Sequence, residues 1–281
     1  MRRSPRCFTD NASVGPRRPW VSEPRGIVTS AKRCAGIGVN GLEDMRWTHV
    51  PTGWPIASAA LMSNAKARCL RALAADEHRP VHPHLIDYYD TDSNHAGASF
   101  VDLDPADPLD VTAGDLLGVS MLGIPTPPLA VRRLLNHCGH RLDVLNALQT
   151  MPDRELYMAD EQTLVQMDRL TEAVLRCVHE VATDEAEAWA FAVALCARKR
   201  PDLFPVVDPG AGVFLGLGSS PDHRITWQVM RHVLGDREVL SRVDGLKVTM
   251  EREPSARVRV ESSRLRLLFA TVAAHISGLS L

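Results

Sequence analysis

From Ile56 onward, apolar residues recur at spacings of three and four, the period of helices buried on one face. IASAALMSNAKARCLRALAADE opens this regime with strong helix formers and predicts the first helix of a core domain. Residues 79–112 break the pattern: prolines and aspartates crowd together and predict a long polar connection folded over the helices. Thr112 then fits an N-cap, with Asp115 three positions on as a shortened capping-box acid, and DLLGVSML follows as a short helix closed by the TPP at 126–128. LAVRRLLNHCGHRLDVLNALQ, at 129–149, predicts helix with a break at Gly139. Over 160–182, Leu164, Met167, Leu170, Val174, Cys177, Val178 and Val181 share a stripe, while Gln166, Asp168, Arg169, Glu172 and Arg176 face away. DEAEAWAFAVALCARKR, at 184–200, is apolar nearly all round at its centre and is expected to be the buried central helix.

After Pro201, DLFPVVDPGAGVFLGLG is a short segment leading to a helix near 225–235. Residues 236–261 read two ways. VTM and RVRVE alternate like strands and leave room for a small β-hairpin near 246–260, whereas DREVLSRVDGLKV reads equally well as helix. SSRLRLLFATVAAHISG closes the series as an amphipathic helix between a Ser cap and a Gly stop. The expected fold class is all-α, a multi-helix bundle, with a basic Arg/Pro-rich leader of little fixed structure at 1–55 and a helical core domain at 56–281. The leader reads as a basic arm for nucleic acid or a partner, as a solvated tail, or as residues upstream of a natural start at Met45 or Met62.

Composition sharpens this picture in three ways. Hydrophobic residues at 45% support a real core, and aromatics at 5% suit helices better than strands. No apolar run approaches the length of a membrane span and no apolar stretch follows the basic N-terminus, so no membrane partner is expected and the cytoplasm is the expected compartment. The net charge of -2 conceals a basic leader and an acidic body, and an acidic body argues against broad nonspecific nucleic-acid binding. The 6 cysteines form no CxxC pair, and several fall at apolar helix positions, as buried reduced thiols do.

Candidate chemistry is sparse. Asp208, between Val207 and Pro209, reads as a turn or helix-cap residue or as a catalytic carboxylate. Arg198, Lys199 and Arg200 form the densest basic run of the core domain, suited either to a helix C-terminus or to nucleic-acid phosphates. His78, His82, His84, Asp87, Asp90, Asp92 and His95 offer metal-type ligands without an HxxxH or HExxH frame, so a polar loop is expected and no metal site is assigned. His137 and His140 read as a surface pair. GVFLGLGSS, at 212–220, has neither a preceding strand nor a P-loop lysine; it reads as a turn, and no cofactor is expected.

The stretch Ala197-Arg198-Lys199-Arg200-Pro201-Asp202-Leu203-Phe204-Pro205-Val206-Val207-Asp208 resembles the signature A-R-K-R-P-x-L-x-P-V-x-D of an actinobacterial family of unknown function. Weaker agreement at Leu85–Tyr89, Asp115–Leu117 and SRLRLLF extends the resemblance over roughly residues 60–278. That family in turn resembles the helix-hairpin-helix DNA glycosylases. The resemblance implies a glycosylase-like bundle in which Asp208 assists loss of a base while Arg198, Lys199 and Arg200 contact DNA phosphate. The chain departs from that pattern where a Gly-rich hairpin would stand, reading Glu180 to Glu185 without glycine, and where a Schiff-base lysine would fall, near Ala190 or Ala194. Two function classes follow. A non-catalytic scaffold binding DNA or a protein partner predicts that Asp208 is tied up in backbone hydrogen bonds with no deep pocket beside it. A DNA N-glycosylase-like enzyme needs an open cleft with Asp208 in its wall and the basic run on its rim. The acidic body and the altered hairpin favour the scaffold.

Overall fold

Short polar side chains open most of the helices, each accepting a hydrogen bond from an otherwise unpaired N–H of the first turn. Ser58 caps α1 (Ala59–Leu73), Asp160 caps α6 (Glu161–Val178), and Asp184 caps α7 (Glu185–Lys199). Thr112 and Asp115 form a complete capping box on α3 (Ala113–Met121). The computed structural model describes residues 49–277 except 75–80, 101–102, 105, 181, 183, 219–221, 253–257 and 261–262. Among the described residues it is all-helical and holds no strand; a single isolated bridge pairs Asp90 with Val258.

The remaining helices are α2 (Val81–Tyr89), α4 (Pro128–Leu135), α5 (Gly139–Thr150), α8 (Pro209–Leu215), α9 (His223–Leu234), α10 (Arg237–Glu251) and α11 (Arg264–Ser277). The expected central helix is central: Phe191, Ala192, Leu195 and Cys196 of α7 are fully buried, and α7 packs between α6 and α3. The stripe on α6 is buried as its period requires, with Val181 outside the described residues.

Three expectations give way. Residues 81–89 lie within the expected polar connection yet are helical, because Pro83 falls in the first turn, where no hydrogen bond is lost, and Leu85 and Tyr89 bury one face. The hairpin near 246–260 is replaced by helix as far as Glu251. Asp236 caps α10 through Glu238 and Val239, and Val239, Val243 and Met250 follow a helical rather than an alternating period into the core. The glycine-rich segment at 212–220 is likewise not all turn: its first residues complete α8, which ends on Gly216 at φ +81°, a left-handed position suited to glycine.

Residues 1–48, where most of the expected basic leader falls, lie outside the described residues. The last part of the expected leader packs on α9. His49 O accepts from Arg231 at 2.9 Å, Trp54 lies 6.0 Å from Trp227, and Gln228 bonds both Pro55 O and Ala57 N. Cys69, Cys177 and Cys196 are buried free thiols, and burial pushes Cys69 and Cys196 up to about 12. No described helix is long and apolar enough to cross a membrane.

Candidate functional site

The basic run at the end of α7 points inward. Arg198 Nε donates to Asp115 Oδ1 at 3.2 Å and Lys199 Nζ to Asp115 Oδ2 at 2.6 Å, with all three side chains at most 3% exposed. The same carboxylate accepts from Thr112 N at 2.8 Å, while the other arms of Arg198 donate to the carbonyls of Phe100 and Leu103. Arg200 donates to Pro108 O at 2.7 Å and Leu148 O at 3.1 Å. Burial pulls the Lys199 amine below its ordinary value, against the raising effect of its bond to Asp115. These cations therefore staple the 100–115 segment to α7. Arg198 and Lys199, which the sequence offered as phosphate contacts, thus point at Asp115, and Arg200 donates to the protein's own carbonyls.

Asp208 is the N-cap of α8. Its Oδ1 accepts from Gly210 N at 2.8 Å and Ala211 N at 3.1 Å, and neither bond uses Oδ2. The residue is exposed and stands in the wall of a cavity of about 680 Å³. One face of α11 forms its floor: Arg266, Phe269, Ala270, Ala273, Ala274 and Ser277 recur at helical spacing. Opposite, His84, Asp87 and Tyr88 project from α2 at i, i+3 and i+4. Val206, Val207 and Phe100 add apolar wall, and Ala190 of α7 reaches the same space.

Charge in this cavity is layered. Arg266 is 7% exposed, with its guanidinium carbon 4.2 Å from the centroid of the Phe100 ring, a cation–π contact. Asp87 and His95 pair at 3.0 Å with side chains 65% and 54% exposed, so they sit at the solvent side. Gly97 makes the turn beside them possible: a Cβ there would collide with the Tyr88 carbonyl and ring. Among the described residues, no three His, Cys, Asp or Glu side chains gather closely enough to hold a metal ion; His78 is outside them.

A second polar cluster joins α6 to α9. Arg224 donates to Asp168 twice, at 3.0 and 2.9 Å, and His223 Nε2 lies 3.2 Å from the same carboxylate. The His223 ring packs 4.4 Å from Trp189 and 4.6 Å from Trp227. Burial works to raise the Asp168 carboxyl, but its bonds to His223 and Arg224 prevail and hold it below the usual value.

Asp208 is tied into backbone hydrogen bonds as expected of a scaffold, but the expectation that no pocket adjoins it is overturned. It does line a cavity, but the basic run is not on the rim, and the cation of the cavity is Arg266. Sequence reading missed Arg266 and the α2 face. Their i, i+3, i+4 spacing was visible, but the same spacing marks any core-facing helix, and α2 was hidden inside an apparent loop.

Comparison with known proteins adds one finding. No curated protein and no solved structure matches the chain. A family description does match residues 81–268, from the first turn of α2 into α11, and so takes in Asp87, His95, Asp208 and Arg266. The chain belongs to the DUF6308 family, a family of unknown function.

Proposed function

We propose that this chain is a non-catalytic binding scaffold whose ligand seat is the cavity between α2, α8 and α11, in a cytoplasmic protein. One observation carries the reading: a cavity of about 680 Å³ with mostly apolar walls and a few polar side chains, the make-up of small-molecule sites. The N-cap bonds of Asp208 and the inward-facing basic run support binding over DNA chemistry. The test uses anilinonaphthalene sulfonate as a probe, because its fluorescence rises in apolar sites. Wild type is expected to bind it saturably at one site, and Ala273→Trp, which fills the cavity from a half-buried position on α11, to abolish the signal. Equal binding by the two proteins overturns the reading.

A DNA N-glycosylase-like reading is favoured by one observation, the place of Asp208 in the cavity wall with Oδ2 outside the cap. A carboxylate there would stabilise the positive sugar that develops as the base leaves. Damaged-base oligonucleotides cleaved by wild type and not by Asp208→Asn would establish it; no cleavage across a broad lesion panel would remove it.

A further inference from the structure

We infer that the cavity takes an amphiphilic amine, its ammonium group seated on Asp208 and its apolar body on the α11 face; this rests on the cavity being a binding seat. Asp208 has one carboxylate oxygen that the fold uses and one that it leaves open. Among the described residues, Oδ1 accepts both of the side chain's hydrogen bonds, from Gly210 N at 2.8 Å and Ala211 N at 3.1 Å, and Oδ2 accepts none. The two cap bonds hold the carboxylate in place before any ligand arrives. A ligand lying in the cavity would cover Oδ2 and strip its water. A carboxylate oxygen covered without a donor is costly, and an ammonium N–H offsets that cost better than a neutral hydroxyl does.

The remaining walls decide what the ammonium is attached to. Asp87, paired with His95 at 3.0 Å, adds negative potential at the solvent side, where an incoming anion would meet it. The floor runs from Arg266 to Ser277, about 16 Å along α11 at a helix's rise per residue. Between these ends Phe269, Ala270 and Ala273 offer only carbon, and the Ser277 hydroxyl donates to Ala273 O within the helix. Arg266 is 7% exposed with its guanidinium on the Phe100 ring, and its positive charge turns an ammonium away from its end of the floor. A diamine or polyamine would bring its second cation against these carbon walls or towards Arg266. A single ammonium on an aliphatic or aromatic body fits.

The experiment titrates 2-naphthylmethylamine, naphthalene-2-methanol and naphthalene-2-acetate into full-length wild type and Asp208→Asn at pH 7 by calorimetry, with displacement of anilinonaphthalene sulfonate as a second readout. Asparagine caps a helix as well as aspartate does, so the variant keeps the cap and loses the charge. In wild type the amine is expected to bind at least about tenfold tighter than the alcohol, the size of a hydrogen bond to a charged group, and the acetate more weakly than either. In Asp208→Asn the amine's advantage should collapse towards unity while the anionic fluorophore binds as tightly as before or tighter, opposite responses that a loss of fold cannot give. Equal binding of amine and alcohol in wild type, tighter binding of the acetate, or an amine preference that persists in Asp208→Asn overturns the inference while leaving the cavity as a seat. Loss of the fluorophore together with the amine in a folded variant overturns it too; if circular dichroism shows the variant unfolded, the amine-to-alcohol ratio in wild type decides. Failure of every compound in wild type, the fluorophore included, overturns both.

Discussion

Asp115→Asn keeps the shape of the side chain and removes the one negative charge that two buried cations share. Arg198 and Lys199 approach its oxygens at 3.2 and 2.6 Å, and no member of the trio is more than 3% exposed. Breaking a buried pair from one side costs about 3–5 kcal/mol, because the partner charge stays desolvated. The asparagine retains an acceptor for Thr112 N, so the loss of the cap adds at most about 1 kcal/mol. For a domain of this size the total lowers Tm by roughly 6–24 °C. The pH dependence identifies the cause. The Lys199 amine already sits below 10.5 in the folded state, so the unfolded chain binds more protons there and stability rises as pH climbs from the folded value through 10.5. Without Asp115 the amine falls further, and the variant regains more stability than wild type on the alkaline side. Adding Lys199→Met to Asp115→Asn should restore part of the loss at pH 7. Urea unfolding followed by circular dichroism at pH 7 and pH 9.5 measures all three proteins. A loss below about 1 kcal/mol, the scale of an exposed pair, would refute the staple.

The His223–Asp168–Arg224 cluster contributes stability that is complete above the ordinary Asp value of 3.8 and is lost as pH falls through the depressed folded value; Asp168→Asn should flatten the acid limb of a thermal-stability profile. Gly97→Ala forces Tyr88 aside and should cost about 1–3 kcal/mol in urea unfolding while weakening anilinonaphthalene sulfonate binding. Trp54→Ala strips the packing against Trp227 and the cation–π contact with Arg224, and calorimetric unfolding should show a loss of roughly 2 kcal/mol, less than a fully buried tryptophan. In native protein, mass-mapped alkylation should spare Cys69 and Cys196, whose thiols burial pushes up to about 12, and among the described cysteines reach the half-buried Cys138 first.

The all-α class and the identity of the central helix were legible because they rest on period and burial, which a sequence carries directly. The stripe from Leu164 to Val178 and the capping pair Thr112 and Asp115 appear in the structure where their spacing puts them. The α2 helix was concealed by prolines, since Pro83 breaks a helix only when it falls beyond the first turn, and the start of the helix could not be seen. The basic run misled for a related reason. Three consecutive cations at a helix end look solvated until a distant carboxylate is known to lie beneath them, and Asp115 is more than eighty residues away in the chain. Asp208 was readable as a cap from Asp-Pro-Gly alone. Its place beside a cavity depends on α2, α8 and α11 meeting, a tertiary fact no local pattern records.

The cavity as a ligand seat is tested most directly by diffraction from crystals soaked in 6-bromonaphthalene-2-acetate, with data collected at the bromine absorption edge. The account predicts one anomalous peak between α2 and α11, over the Ala270 and Ala273 face. An empty cavity at saturating ligand, or a bromine bound only on the outer surface, would contradict it.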